Sequence, residues 1–266
     1  MTLSKEKRRL LGRLKNPRFR GREGLFLVEG VRAVQEFLEG SLHRDLRFAL
    51  TSPCLEASEG GRQIKTRLEK AGVRTEEVSD QELERASDTE NHQGIALVVR
   101  EEVMAFPPAA ETHFERVLLL DGIQDPGNAG TLIRAGRAFG LSRVIALEGT
   151  VDLLNPKVVR ASAGALACLP VHRRPWNETR AWLDEGGISL LVGRAGGRDV
   201  RTLSPPPAWA LAVGNEGAGV RSEIQEAASE VVGIPMVSGT DSLNAGVAGA
   251  ILMFALDPFS GRRTET

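Results

Sequence analysis

The stretch "LLLDGIQDPGNAGTLIRAGRAFG", residues 118–140, decides the fold. It reads as an apolar strand, a glycine-containing loop and a helix, the layout of a phosphate or nucleotide cradle. Yet it contains neither G-x-G-x-x-G nor G-K-[ST]. A dinucleotide reading has some support. Gly127 and Gly130 lie at the turn, and Glu148 ends the next strand 21 residues after Gly127, about where a ribose-binding acid would stand. Against it, the glycine spacing is G-x-x-G, and Pro126 and Asn128 hold positions that a close pyrophosphate does not require. The C-terminal third is also left unexplained.

The chain repeats the device twice. "LAVGNEGAGV" (211–220) is a strand that stops in Gly214, Gly217 and Gly219, with Asn215 and Glu216 between them. "IPMVSGTDSLNAGVAGAILMFAL" (234–256) is a strand, a Ser/Gly/Thr/Asp loop and a helix opening at Ser242, Leu243 and Asn244. Around these stretches strands and helices alternate. "ERVLLLDG", "RVIALEG", "ISLLVG", "WALAVGNEG" and "VVGIPM" are near-continuous apolar runs, as expected of parallel strands covered on both faces. Helices are expected at about 129–139, 155–165, 177–186, 221–229 and 242–256. Three polar, glycine-rich loops would then converge on the carboxyl edge of the sheet, where open α/β sheets bind ligands.

Upstream, "LFLVEGVRAVQEFLEG" gives a short strand and a helix with Val31, Val34, Phe37 and Leu38 on one face. "LRFALTSP" and "QGIALVV" are strands, and "GRQIKTRLEKAG" is a helix closed by Gly72. The expected organisation is a small α/β domain over 1–105, a proline-containing linker over 106–113 and a second α/β domain over 114–266.

Hydrophobic residues make up 41% and charged residues 26% of the 266, enough for a real core and no case for global disorder. No apolar run reaches the roughly 20 residues of a membrane span, and no export signal precedes residue 24, so a cytoplasmic protein is expected. Cys54 and Cys168 read as free thiols of a reducing compartment. The four histidines are scattered, and no metal site is legible. Charge is uneven. Residues 1–24 hold nine Lys/Arg against Glu6 and Glu23, a balance of +7; with a whole-chain charge of −1, the remainder carries −8. A basic arm on an acidic protein fits a polyanionic partner, or else a solvated tail.

In order and spacing, "DPGNAGTLIRAGRAFG", "GNEGAGV" and "IPMVSGTDSLNAGVAGAI" resemble the three motifs of the SpoU/TrmH family of RNA ribose 2′-O-methyltransferases. The resemblance covers about residues 117–256. "FLVEGVRAVQEFL" and "NHQGIALVV" resemble, more loosely, the ends of the substrate-binding domain found in many members. The resemblance implies an α/β-knot (SPOUT) catalytic domain whose C-terminal segment threads a trefoil knot. It also implies S-adenosylmethionine (AdoMet) as methyl donor, a ribose 2′-hydroxyl as acceptor and a homodimer packed about the first and third motifs. With its extra domain and basic arm, the chain resembles the members that act on ribosomal RNA rather than tRNA. A non-catalytic RNA-binding relative is the alternative.

The resemblance places Asn128, Arg134, Glu216, Ser242 and Asn244 in the catalytic site, and Gly214, Ile234, Met236 and Leu243 around AdoMet. An alcohol is a weak nucleophile, so the site must align it with the donor methyl and favour loss of its proton. Arg134 falls six residues after Asn128, as in the family motif. A guanidinium holds its proton throughout the physiological range, so binding the target phosphate and stabilising a developing alkoxide suit it better than acting as general base. Asn128 could order the loops or cap the helix, and Glu216 could orient Arg134 or the RNA. Ser242 and Asn244 would bind the ribose or fix their loop. The family's usual "SLNVSVA" reads "SLNAGVA" here, so Ala245 and Gly246 replace a larger pair.

Overall fold

The computed structural model describes residues 3–40, 45–87, 92–100, 106–108, 115–237 and 242–256. The expected linker beyond 108 and the Ser/Gly/Thr/Asp turn at 238–241 lie outside them. The chain forms two compact units, one of residues 1–104 with 154–168, the other of 105–153 with 169–266.

The first unit holds a four-stranded sheet made of β1 (Leu25–Glu29), β2 (Asp45–Thr51), β3 (Thr75–Glu77) and β4 (Ile95–Arg100). Their order is β1-β4-β2-β3; only the β2–β3 pair is parallel. Period-two alternation sorts the side chains. Leu25 and Leu27 join one apolar cluster with Phe48 and Leu50. Phe26 faces the other way and meets Phe37 edge-on at 5.8 Å. Phe37 belongs to α3 (Val31–Glu39), and α4 (Glu59–Lys70) follows β2.

The basic arm is not a tail. It forms α1 (Lys5–Leu14) and α2 (Pro17–Glu23), each started by a side chain that accepts a backbone N–H, Ser4 and Asn16. Leu3, Leu11 and Leu14 are buried in the same cluster as Leu25, with Leu83 of α5 (Asp80–Ala86). Arg20 is itself buried and donates to the Leu14 carbonyl at 2.6 Å. Apolar spacing within a lysine- and arginine-rich segment was too sparse to announce these helices. Segment 154–168 also belongs to this unit. It contains α7 (Pro156–Ala161), whose Arg160 pairs with the buried carboxylate of Glu29 at 2.6 Å.

The second unit holds six parallel strands, β5 (Arg116–Asp121), β6 (Arg143–Ala146), β7 (Val171–Arg173), β8 (Ser189–Asp199), β9 (Trp209–Gly214) and β10 (Glu230–Gly233). Their order is β10-β8-β9-β5-β6-β7. β7 is a three-residue edge strand, too short to be read from sequence. Leu118 of β5 lies level with Leu211 of β9 and Val144 of β6, so the apolar runs form continuous layers. One face is closed by α8 (Trp176–Glu185) and α9 (Ser222–Glu226), through Trp182, Leu183 and Ile224. α6 (Pro126–Ala138) and α10 (Ala245–Ala255) pack on one another. The chain reverses direction across the sheet between β5 and β9, the kind of switch point where such sheets open a ligand crevice.

Candidate active site

The site begins with a charge at the end of a strand. Asp121, the last residue of β5, is 1% exposed, and a buried carboxylate requires paired donors. Arg221 supplies two of them: its backbone N–H donates to Oδ2 at 2.7 Å and its Nε to Oδ1 at 2.6 Å. The same guanidinium reaches Glu148 after β6 at 2.9 Å and Glu223 at 2.9 Å. Burial works to lower the Arg221 pKa, but the Asp121 and Glu148 carboxylates together outweigh it and raise it. Glu148, the acid that mimicked a ribose ligand, is thus engaged by Arg221 and by the backbone N–H of Trp176.

The clamp fixes the start of α9 relative to β5, and between β9 and Arg221 runs the loop 214–220. Asn215 folds that loop on itself. It exchanges backbone hydrogen bonds with Gly219, its Oδ1 accepts from Gly217 and Ala218, and its Nδ2 donates to the Gly122 carbonyl at 2.9 Å. A Cβ on Gly214 would stand 2.2 Å from the backbone of Gly219, so no other residue fits there.

The first motif meets this loop. Asp125 caps α6 by accepting from the Asn128 backbone at 2.8 Å, with Pro126 at the first helical position. Asn128 is therefore not the cap. Its side-chain Nδ2 donates to Glu216 Oε1 at 2.8 Å, joining the first and second motifs. The third motif enters at α10, where Asn244 is the N-cap and accepts from Val247 at 3.2 Å. Ser242 precedes the helix and is exposed. The small residues that depart from the family pattern have a local reason. A Cβ on Gly246 would already sit 3.2 Å from the Oδ1 atoms of both Asn128 and Asn244. At Gly249 it would strike Leu132 of α6 at 2.2 Å. These glycines thus let α10 settle on the chain's own α6.

The loops of the second and third motifs, with β8, line a cavity of about 340 Å³, within the range of small-molecule sites, and the first motif joins it through the Asn128–Glu216 hydrogen bond. Gly214, Ile234, Met236 and Leu243 all line it, as do Glu216 and Ser242. Val213, Val220 and Leu252 add apolar wall, while the glycines of the 214–219 loop bare backbone amides and carbonyls. That combination suits a flat heteroaromatic ring and a polar tail, and it therefore fits AdoMet. Arg194 of β8 and Gln225 of α9 also line the cavity. They lie outside the motifs, and the sequence carries no signal for them. Arg134 is not in the wall. It sits exposed on another face of α6 than buried Asn128, and among the described residues it has no ion-pair partner. One further group of potential metal donors, Cys54, Asp80 and His92, lies in the first unit. There Asp80 accepts from the Cys54 backbone and His92 Nδ1 from Gly94.

An open parallel sheet with a cavity at the ends of β9 and β10 is the architecture of a cofactor-binding α/β enzyme. The SpoU rRNA Methylase family matches residues 115–254, and the MRM3-like substrate binding domain matches residues 6–97. The chain is 31% identical, over 89% of its length and 90% of the relative's, to the 23S rRNA (guanosine(2553)-2'-O)-methyltransferase RlmP of Bacillus subtilis (strain 168). The SpoU methyltransferase AviRb from Streptomyces viridochromogenes, solved in complex with AdoMet, superposes with a TM-score of 0.84 at 26% identity, covering 97% of this chain and 99% of that one. An AdoMet-bound rRNA methyltransferase from Sinorhizobium meliloti shares the fold, with a TM-score of 0.83 at 24% identity over 99% and 98% of the two chains. The chain belongs to the SpoU rRNA Methylase family. It is an AdoMet-dependent RNA 2′-O-methyltransferase.

The clamp makes a direct prediction. Asp121→Asn should cost about 1–3 kcal/mol of stability, because Arg221 loses its buried counter-charge while keeping its partly solvated ones. AdoMet affinity should fall about tenfold as the 214–220 loop loosens. Chemical denaturation and calorimetric titration check both, and a variant unchanged in both would remove the clamp from the site's architecture.

Proposed function

We propose that the protein methylates a ribose 2′-hydroxyl in ribosomal RNA, in the cytoplasm, as a homodimer whose C-terminal segment is knotted. The observation that carries the reading is the cavity, where the second and third motif loops bring the expected cofactor residues together beside Glu216, itself held by Asn128 of the first motif. AdoMet supplies an electrophilic methyl on a sulfonium. The chain's residues align the acceptor, exclude water and receive charge. When the 2′-oxygen bonds to the methyl carbon, the carbon–sulfur pair would stay on sulfur as S-adenosylhomocysteine leaves, and the hydroxyl proton would pass to solvent. Glu216, held by Asn128 and lining the cavity, fixes the loop beside the acceptor. Ser242 and Asn244 present hydroxyl and amide groups to the ribose from the opening of α10. Arg134 grips the target phosphate and stabilises the developing alkoxide. The knotted path is supported by the return from edge strand β10 to α10, which packs against α6 and β9. Transfer of tritium from labelled AdoMet to rRNA, followed by mapping of the methylated ribose, tests the activity and substrate together.

The dimer rests on two observations. Arg134 stands outside its own protomer's cavity, free to serve a partner's. In addition, α10 and the residue before its cap leave Leu243, Val247, Ile251 and Phe254 between 36% and 54% exposed, spaced along one helical stripe. Phe254 leans on Phe139 at 5.7 Å, which extends the stripe onto the end of α6. The second unit of the proposal is RNA binding by the first domain. Arg9, Arg13 and Arg18 of α1 and α2 are exposed, and Arg13 and Arg22 lie over the Phe19 ring.

Three outcomes are expected. Arg134→Ala should lower turnover about 100-fold or more with AdoMet affinity near wild type, and Arg134→Lys should restore little; normal turnover in both would exclude Arg134 from the chemistry. Phe254→Glu should shift equilibrium sedimentation toward monomer and abolish activity, whereas an active wild-type monomer at micromolar concentration would defeat the dimer. Replacing Arg9, Arg13 and Arg18 together by Gln leaves the buried Leu11 and Leu14 in place. It should flatten the dependence of log K for RNA on log salt by about two, and an unaltered slope would return these helices to a structural role.

A further inference from the structure

We propose that Arg194 is the cofactor-selecting residue of this enzyme, taking the carboxylate of the methionine moiety of AdoMet. The proposal rests on the reading of the cavity as the AdoMet site. Two charged side chains stand among the residues of the cavity wall, Arg194 and Glu216. The remainder is glycine, alanine, larger aliphatic residues and uncharged polar groups. AdoMet brings one carboxylate, one ammonium and one sulfonium to this wall. Among the described residues of this wall, Arg194 is the cationic side chain that its anionic group can meet.

The local structure prepares Arg194 for the task. It follows Gly193 in β8, where a Cβ would strike Leu252 of α10 at 2.8 Å, so the strand edge runs close along the cavity. Its NH1 donates to Gln225 Oε1 at 2.9 Å. The Gln225 amide in turn donates to the Val220 carbonyl, so both side chains are tied to the end of the 214–220 loop. Holding one nitrogen of the fork leaves the remaining N–H groups for a planar, two-oxygen acceptor. Glu216 is engaged through Asn128 and Asn215 and has the sign that suits the cationic groups of the cofactor.

Calorimetric titration of the intact enzyme with three ligands separates this contact from a general effect on the cavity. AdoMet and S-adenosylhomocysteine keep the carboxylate; decarboxylated AdoMet keeps the sulfonium and ammonium but lacks it. Arg194→Gln should weaken the first two about tenfold and leave decarboxylated AdoMet within about twofold, and Arg194→Lys should recover part of the loss. Equal weakening of all three ligands, unchanged AdoMet affinity, or a loss confined to RNA binding would each overturn the assignment. Failure of the wild type to bind AdoMet would instead strike the cofactor reading itself.

Discussion

A buried carboxylate at the end of the central strand constrains the whole catalytic edge. Asp121 is enclosed by its own sheet, and its charge is tolerated because Arg221 meets both oxygens with backbone and side chain. Since Arg221 also holds Glu148, one guanidinium joins the ends of β5 and β6 to the segment after β9. The 214–220 loop thus hangs between a strand and a fixed arginine. Its internal hydrogen bonds then need only shape it, not place it. Glycine does the rest: the approach of Gly214 to Gly219 leaves no room for a side chain.

The same economy of space brings the third motif into position. α10 lies against α6 because Gly246 and Gly249 present no bulk to Asn128, Thr131 and Leu132. An amphipathic helix would ordinarily turn its apolar side inward and its polar side to water. α10 is apolar nearly throughout, so one face is satisfied by α6 and the sheet while the opposite stripe remains uncovered. The glycines of α10 thus serve contacts within the protomer. Small residues close the protomer, and the large ones, Val247, Ile251 and Phe254, stay exposed.

Arg134 and Arg194 stand in different settings. Arg134 is presented on the outer side of α6, away from the cavity wall, where it can meet a polyanion. Arg194 sits in the wall itself, restrained by Gln225. The first belongs to a motif of fixed spacing. The second is carried by a strand, where a charged residue followed by glycines gives no sign of a binding role.

Much was legible without coordinates. Apolar runs of β-strand length, separated by helical periods, announced the parallel sheet because burial on both faces demands unbroken apolar sequence. Of the three glycine-rich stretches, the second and third border the cavity, because glycine and short polar residues leave a strand end open. Other features needed the tertiary structure. The helices of the basic arm are held by burial of Leu11 and Leu14, a contact that charge counting cannot reveal. Asp125, not Asn128, caps α6, since the neighbouring loop draws the Asn128 side chain to Glu216. Segment 154–168 sits in sequence between two strands of one unit, yet its Arg160 finds its counter-charge at Glu29 of the other. Pattern along a chain fixes which residues prefer burial or a turn; which partners they meet depends on approaches between segments far apart in sequence, and those exist only in the folded molecule.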